Sequence, residues 1–362
     1  MAYLPLSTAN LPDPVIDPAQ GASPEDYFNT VLYTGNATDN HQIIGVGFQP
    51  DFLWIKQRNG TEWHNVQDVV RGVQQGLFPN DTYQEVTRTN AVKSFDTDGF
   101  TLGNSSGEGW NTSGGTYVAW NWKANGSGVS NTDGSITSTV SANTTSGFSV
   151  VSWNTGSTGQ NVTIGHGLDS APELIINQNR SVGGNWWTYS AELGATDYLI
   201  LNSTQAAGYT DTRIWANTAP TSTVFSTEVG YVFPASSHDI ISYCFHSVEG
   251  FSKLGSYVGN GSTDGPFVYT GFRPAFVMVK SSSAGEHWNI PVFTTDTNGS
   301  MNTLSPNLSN AERTMDQNPA VDFVSNGFKI RTSDANYNSN GGSYIYMAFA
   351  EDGGPFKYSR AR

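Results

Sequence analysis

Several short stretches carry residue types that could do chemistry. "GNSSG" at 103–107 has the G-x-S-x-G spacing of a nucleophile elbow. That device needs a strand before it and a helix after it, so that the serine sits exposed on a strained turn. The residues that follow, "EGWNTSGGT", read as loop, which argues against a catalytic serine. "DTDG" at 96–99 looks like part of a calcium loop. The full loop needs a further acidic position and a glutamate six residues past the glycine, where this chain has Ser105. "GNGSTDG" at 259–265 is rich in glycine, but no helical pattern follows to aim its N–H groups at a phosphate. The six histidines (41, 64, 166, 238, 246, 287) show no metal-ligand spacing with one another or with the one cysteine. Cys244 lies in the apolar run "IISYCFHS" and reads as a buried spectator thiol. A carboxylate pair for glycoside hydrolysis needs two acids that meet in the fold, and no spacing selects such a pair. These readings give no enzyme, no metal and no cofactor.

The motifs that fail as chemistry succeed as elements of a repeat. "GFQPDFLWIK" (47–56) and "GFRPAFVMVK" (271–280) agree at five of ten positions. A weaker third version is "GLDSAPELIIN" (167–177). An aromatic residue precedes each leading glycine by 14 positions: Tyr33 before Gly47, Trp153 before Gly167, Tyr257 before Gly271. Each apolar run is followed seven to nine residues on by a tryptophan: Trp63, Trp186 and Trp288. "SFDTDGFTLG" (94–103) parallels "DFVSNGFKIR" (322–331), and "GGTYVAWNWKA" (114–124) parallels "GGSYIYMAFAE" (341–351). Across the repeat Asp96 aligns with Val324 and Asp98 with Asn326. The carboxylates vanish while the turn glycine stays, so "DTDG" is a hairpin turn and no calcium site.

Composition agrees with a β fold. Aromatics are 12% and charged residues only 13%, with Gly, Ser, Thr and Asn in place of helix formers. Short apolar runs bracketed by turn signals predict strands of sandwich-like units. The expected architecture is all-β: an extended Pro-rich arm (1–25), then three tandem related β-sandwich-like domains (26–134, 135–248, 249–352), then a tail (353–362). Residues 124–147 read as a linker or an edge strand. One helix is expected at 307–316, with Ser309 as its cap.

The net charge is −14. It would repel a phosphate backbone, so nucleic acid is not expected as a partner. No run of eighteen apolar residues exists, so no helix inserting in a membrane is expected, and residues 1–25 do not read as a signal peptide. In the arm, Leu4, Leu6, Leu11, Val15 and Ile16 alternate with Pro12, Pro14 and other prolines. Proline-rich chain stays extended, and these apolar pegs suit attachment to another protein. Surface recognition is expected from Trp110, Tyr209 and Trp215, which read as loop residues, and from Trp186 and Trp187, which as neighbours in a strand point to opposite faces so that one can be exposed; exposed rings stack on sugar faces or anchor protein contacts.

The phrases "GFQPDFLWIK", "SFDTDGFTLG", "YVAWNWKANGSG", "GSITSTVSANTTSGFS", "GFSKLGSYVGNGSTDGPFVYTGFRPAFVMVK" and "YIYMAFAE" resemble uncharacterised repeat proteins of tailed bacteriophages, many from marine and cyanobacterial hosts. The resemblance covers residues 26–352 and supplies no catalytic residues. It implies a non-enzymatic structural protein on the outside of the virion, assembled in the host cytoplasm and extracellular in the mature particle. The expected role is a tail- or fibre-associated component in host-surface attachment, anchored by its arm. A capsid decoration protein and a glycan-degrading tailspike enzyme are the alternatives. The expected partners are other virion proteins, further copies of the chain and a host-surface glycan.

Overall fold

The structure is a computed structural model that describes residues 22–104, 109–157, 159–208, 213–292, 302–314 and 320–351. The arm residues Leu4, Leu6, Leu11, Pro12, Pro14, Val15 and Ile16 lie outside the described residues, as do Tyr209, Ser105 and the tail 353–362.

The chain is nearly all β. In the first segment the strands are β1 (Phe28–Thr34), β2 (His41–Ile44), β3 (Phe52–Gln57), β4 (Asn65–Asp68), β5 (Gln75–Gly76), β6 (Val86–Thr87), β7 (Val92–Asp96), β8 (Gly99–Leu102) and β9 (Thr116–Trp122). They form a main sheet β1-β9-β3-β4 and a small sheet β2-β8-β7. The second segment holds β10 (Val129–Asn131), β11 (Ser138–Asn143), β12 (Phe148–Asn154), β13 (Asn161–Gly165), β14 (Leu174–Asn179), β15 (Trp187–Ser190), β16 (Leu199–Ile200), β17 (Val224–Glu228) and β18 (Asp239–Phe245). Its main sheet runs β10-β11-β12-β18-β14-β15-β16, with β13-β17 as the small one. In the third segment come β19 (Ser252–Val258), β20 (Phe267–Tyr269), β21 (Pro274–Ser281), β22 (Trp288–Val292), β23 (Asn302–Leu304), β24 (Arg313–Thr314), β25 (Val321–Val324), β26 (Gly327–Ile330) and β27 (Ser343–Ala350). Its sheets are β19-β27-β21-β22-β23-β24 and β20-β26-β25. The last long strand of each segment therefore inserts between the first and the central one, three times over. The stretch 124–147 contributes β10 and β11, which widen the second sheet at its edge.

The central strands are buried on both faces, and alternation divides their side chains between two cores. On β9, Val118, Trp120 and Trp122 point one way, and Tyr117 and Ala119 the other. On β27, Ile345, Met347 and Phe349 oppose Tyr344, Tyr346 and Ala348. On β18, Ile241, Tyr243 and Phe245 oppose Ile240 and Cys244. The first set of each strand enters one common core built by all three main sheets. The second set packs beneath the small sheet of its own segment. Strand pairing makes Trp122, Phe245 and Phe349 equivalent, since each sits opposite the first core residue of its central strand: Phe52, Leu174 and Phe276. Their rings form a triangle with centroid separations of 5.6, 6.2 and 6.3 Å, all edge-to-face. This triangle marks a quasi-threefold axis.

Turn glycines are required for two different reasons. Gly47, Gly167 and Gly271 enter the central strands with φ of +85°, +72° and +89°, a region that costs glycine nothing. The hairpin glycines Gly99 and Gly327 answer a close approach instead. A Cβ on either would lie 2.0 or 2.1 Å from the carbonyl oxygen of Ile43 or Val268 on the neighbouring strand.

The helix expected at 307–316 does not form over its described part. Residue 307 is turn, 308–312 are loop and 313–314 are β24. Local propensity loses here to tertiary pairing: β24 joins β23, and the Glu312 N–H donates to the Arg58 carbonyl of the first segment at 2.7 Å. The one α-helix among the described residues is Ala335–Asn338, capped by Asp334. No helix there is long and apolar enough to cross a membrane.

Candidate functional site

The aromatic residues singled out from sequence are mostly interior. Trp110, Trp186 and Trp215 are each 1% exposed. Trp110 donates to the Asn90 carbonyl at 3.3 Å, while its own carbonyl accepts from the Tyr33 hydroxyl at 2.8 Å. Trp215 packs edge-on against Tyr189. Trp187 is half-buried against Tyr198 at 5.1 Å. For Trp110 and Trp215 loop position misled the reading, because these loops fold inward and bury their rings, whereas Trp186 and Trp187 divide between a buried and a half-buried side as alternation requires.

Trp186 belongs to a set of three, and the set differs from the one expected. Counting from the aligned central strands, the equivalent of Trp186 and Trp288 is His64, and Trp63 is displaced by one residue. Strand pairing confirms this register: Ile55 sits opposite Asn65, Asn177 opposite Trp187 and Val279 opposite Asn289. Each of the three reaches into a neighbouring segment. The Trp186 indole N–H donates to the Asp81 carbonyl of the first segment (3.2 Å), and that of Trp288 to the Ile200 carbonyl of the second (3.0 Å). His64 contacts the Ser305 carbonyl of the third through Nε2 at 3.1 Å. The His64 Nδ1 accepts from the Trp54 indole at 2.9 Å, which leaves the proton on Nε2. Burial, with Lys56 nearby, holds the His64 pKa well below its ordinary value, so the ring is neutral.

A second ring of contacts joins the same pairs of segments, with its backbone donors on the opposite partners. The Glu85 N–H donates to the Arg180 carbonyl, Ala207 to Ser282 and Glu312 to Arg58, at 3.0, 2.9 and 2.7 Å. Two of these are doubled by ion pairs, Arg180–Glu85 at 2.8 Å and Arg58–Glu312 at 2.5 Å. Second holds first, third holds second and first holds third, so the lock closes on itself.

Two buried lysines stand beside the lock, and Lys280 reaches across it. Lys56 and Lys280 end equivalent central strands, where the second segment has Gln178. Lys56 Nζ donates to the Gln57 and Gly60 carbonyls at 2.6 and 3.0 Å. Lys280 Nζ donates to those of Ser281, Thr204 and Ala284 at 2.7, 3.2 and 3.4 Å. Burial lowers the pKa of each to about 8. Unfolded lysines hold a proton up to about pH 10.4. Between these values the unfolded chain binds more protons, so stability should rise as pH climbs from about 8 to about 10. Urea midpoints across that range should show the rise in the native chain and lose it in Lys56→Met/Lys280→Met. An unchanged slope in the double variant would remove the lysines as its source.

The residues near the catalytic and metal patterns prove structural. The chain from 109 to 115 is bend, turn and loop leading into β9, so no helix follows "GNSSG" as an elbow requires. Asp98 Oδ1 accepts from the Gly47 N–H at 2.6 Å and Asp96 Oδ2 from the Thr101 hydroxyl at 2.6 Å. In the third segment the Asn326 carbonyl takes over the first of these tasks, accepting from Gly271 N–H at 3.2 Å. No group of three His, Cys, Asp or Glu among the described residues could hold a metal. Cys244 is buried, and burial pushes its thiol up.

Two of the exposed rings sit where the three segments differ. On the small sheet of the third segment, β20 presents Phe267 (48% exposed) and Tyr269 (65%) on its outer face, with Val268 turned into the core between them. Tyr269 lies opposite Gly327, and Phe267 opposite Lys329. Lys329 pairs with Asp264 at 2.8 Å, and Arg331 with Asp322 at 2.7 Å. The result is two rings over a side-chain-free glycine, bordered by charged hydrogen-bonding groups. The equivalent positions on β2 are Gln42 and Ile44, and Ile44 is also exposed, at 70%. Sequence reasoning missed β20 because its rings alternate with a core valine, as in any half-buried strand.

A family model described as a domain of unknown function (DUF7483) matches residues 23–353. No curated protein matches the chain.

Proposed function

We propose, for a chain that belongs to the DUF7483 family of domains of unknown function, a non-enzymatic structural role in a bacteriophage virion. In this reading it is displayed on the particle exterior as part of the tail or fibre apparatus, anchored through residues 1–25, and it contributes to host-surface attachment. Segments 26–134, 135–248 and 249–352, with β10 (Val129–Asn131) pairing into the sheet of the second, are three related units that arose from one repeat. Shared positions maintain the fold, and attachment falls to what one unit alone carries.

The observation that carries this reading is the cyclic lock around a common aromatic core. It makes three repeats into one stiff head and leaves the outer face of β20, with Phe267 and Tyr269, as copy-specific chemistry. Flat rings beside charged donors and acceptors suit the apolar face and hydroxyl rim of a host-surface sugar. Capsid decoration is the second reading, favoured by the quasi-threefold arrangement, which matches local threefold positions in a shell of closed symmetry.

Gold-labelled antibody on intact particles distinguishes the two. Label on the tail supports the proposal, and label confined to the capsid shell overturns it in favour of decoration. Particles carrying Phe267→Ala/Tyr269→Ala should incorporate the protein normally and adsorb poorly to host cells. Normal adsorption would remove β20 from attachment.

A further inference from the structure

In the second segment the stretch 134–143 covers two sheet edges. Ile136 bridges Ile164 of β13 in parallel. The Ile136 N–H donates to the Thr163 carbonyl at 3.1 Å, and the Thr163 N–H donates to Ser135 Oγ at 2.8 Å. The Ser138 hydroxyl donates to the Gly165 carbonyl at 2.8 Å. The chain then continues as β11 along the outer edge of β12. Chain length explains why only this segment has such a cover. Residues 123–147 separate β9 from β12, whereas only 246–251 separate β18 from β19, too few to turn back along an edge.

The equivalent edge of the third segment is β20, and it stays uncovered. Thr163 and Phe267 each stand four residues before the entry glycine, Gly167 or Gly271, and Gly165 and Tyr269 each stand two before it. The Pro266 carbonyl accepts from the Ile330 N–H, and the Thr270 N–H donates to the Asn326 carbonyl, both at 3.0 Å. Alternation turns the N–H and C=O groups of Phe267 and Tyr269 the other way, and none of the four has a partner among the described residues. Neither position carries a charge, a bulge or a proline that would guard the edge. On β19 the same holds for Ser256 and Val258. The Gly259 N–H beyond them donates inward to the Gly342 carbonyl at 2.8 Å, so their own backbone groups point outward.

We propose that the outer edge of β20 takes an extended, uncharged segment of a partner polypeptide as an added parallel strand, held as Ser135 and Ile136 are held on β13. The cover of the second segment defines the chemistry of that strand. An aliphatic residue stands opposite Val268, as Ile136 stands opposite Ile164, with serine or threonine on either side. Its N–H donates to the Phe267 carbonyl, and its carbonyl accepts from the Tyr269 N–H, as parallel pairing requires. Its side chain closes the edge of the core beneath the small sheet, where Ile136 packs in the second segment. A charged residue there would be desolvated without a partner. This contact uses the backbone edge of β20, whereas the proposed attachment uses the outer face of its rings, so each stands without the other.

The probe is a synthetic peptide with the sequence of residues 134–143, GSITSTVSAN. Added to the full chain at up to about 1 mM, the weak end of specific binding, it should saturably slow amide hydrogen exchange at Phe267 and Tyr269. The same peptide methylated on its isoleucine nitrogen should bind about fivefold more weakly or worse, as loss of one hydrogen bond implies. Tyr269→Pro should weaken binding by a similar factor beyond Tyr269→Ala, because it alone removes the outward N–H, and an edge strand tolerates proline there. The methylated peptide keeps the test sound if the proline variant fails to fold. No protection by the peptide, or equal binding of its methylated form, would overturn the proposal. Slow exchange at both amides before any peptide is added would also overturn it, since residues 1–21 or a second copy would then already cover the edge.

Discussion

Phe349→Ala will destabilise the protein by about 3–5 kcal/mol, the range for truncating a buried aromatic side chain, and the loss will appear in all three segments at once. Phe349 is one of the three rings around the quasi-threefold axis. Its ring meets Trp122 of the first segment at 5.6 Å, Phe245 of the second at 6.2 Å, and Phe276 of its own at 6.1 Å. A void there removes contacts from three sheets together. The cyclic lock, in which each segment holds the one before it, denies any segment an independent unfolding route. Hydrogen exchange should therefore show protection falling in β9, β18 and β27 by similar amounts, in a single denaturant transition. Protection lost from residues 249–352 alone, or three resolved transitions, would show that the segments unfold separately. Trp122→Phe supplies the control. It restores the residue found at both equivalent positions and removes an indole N–H that has no partner among the described residues. It shrinks the ring but keeps an aromatic in place, so it should cost clearly less than Phe349→Ala.

Arg71→Met will cost about 3–5 kcal/mol, because it strands a buried carboxylate without its counter-charge. Arg71 and Asp68 pair at 2.5 Å, and both side chains are fully buried. The guanidinium also reaches Glu85 at 3.0 Å, the Gln75 carbonyl at 2.6 Å and the Tyr243 hydroxyl of the second segment at 3.3 Å. Tyr243 donates to Asp68 at 2.9 Å in turn. Burial alone would raise the Glu85 pKa, but Arg180 and Arg71 outweigh it and hold it below the ordinary value. A carboxylate with a depressed pKa stabilises the fold above its unfolded pKa and loses that contribution as pH falls. The native chain should thus weaken with acid below about pH 4.3, and Arg71→Met should weaken less steeply there. Asp68→Asn added to Arg71→Met should recover part of the loss at neutral pH. If Arg71→Met unfolds at the native urea midpoint, the network holds nothing.

Much of the architecture was legible in the sequence. The recurrence of "GFQPDFLWIK" and "GFRPAFVMVK" located two central strands, and the constant distance from Tyr33, Trp153 and Tyr257 to the turn glycines located the third. The aligned loss of Asp96 and Asp98 identified a hairpin where a calcium loop had been conceivable. Local signals suffice for such features, since turn chemistry and strand propensity act within a few residues.

Partnership between segments was not legible. Nothing in "TYVAWNWK" says that Trp122 faces two other sheets while Tyr117 faces its own, because alternation assigns opposite faces without saying what covers either. His64 was hidden as the counterpart of Trp186 and Trp288 because the match is geometric: an imidazole and two indoles share a position only in that each can reach a carbonyl on the next segment. The rings of Trp110, Trp186 and Trp215 were expected at the surface and are plugs, while Phe267 and Tyr269 looked like ordinary strand residues and are exposed. Burial is a property of the assembled sheets, set by which faces meet when the three main sheets close on a common core. The sequence by itself determined the strands, the turns and their threefold recurrence. Only the tertiary structure decided which face of each strand became the common core, and so which rings were left for other molecules to touch.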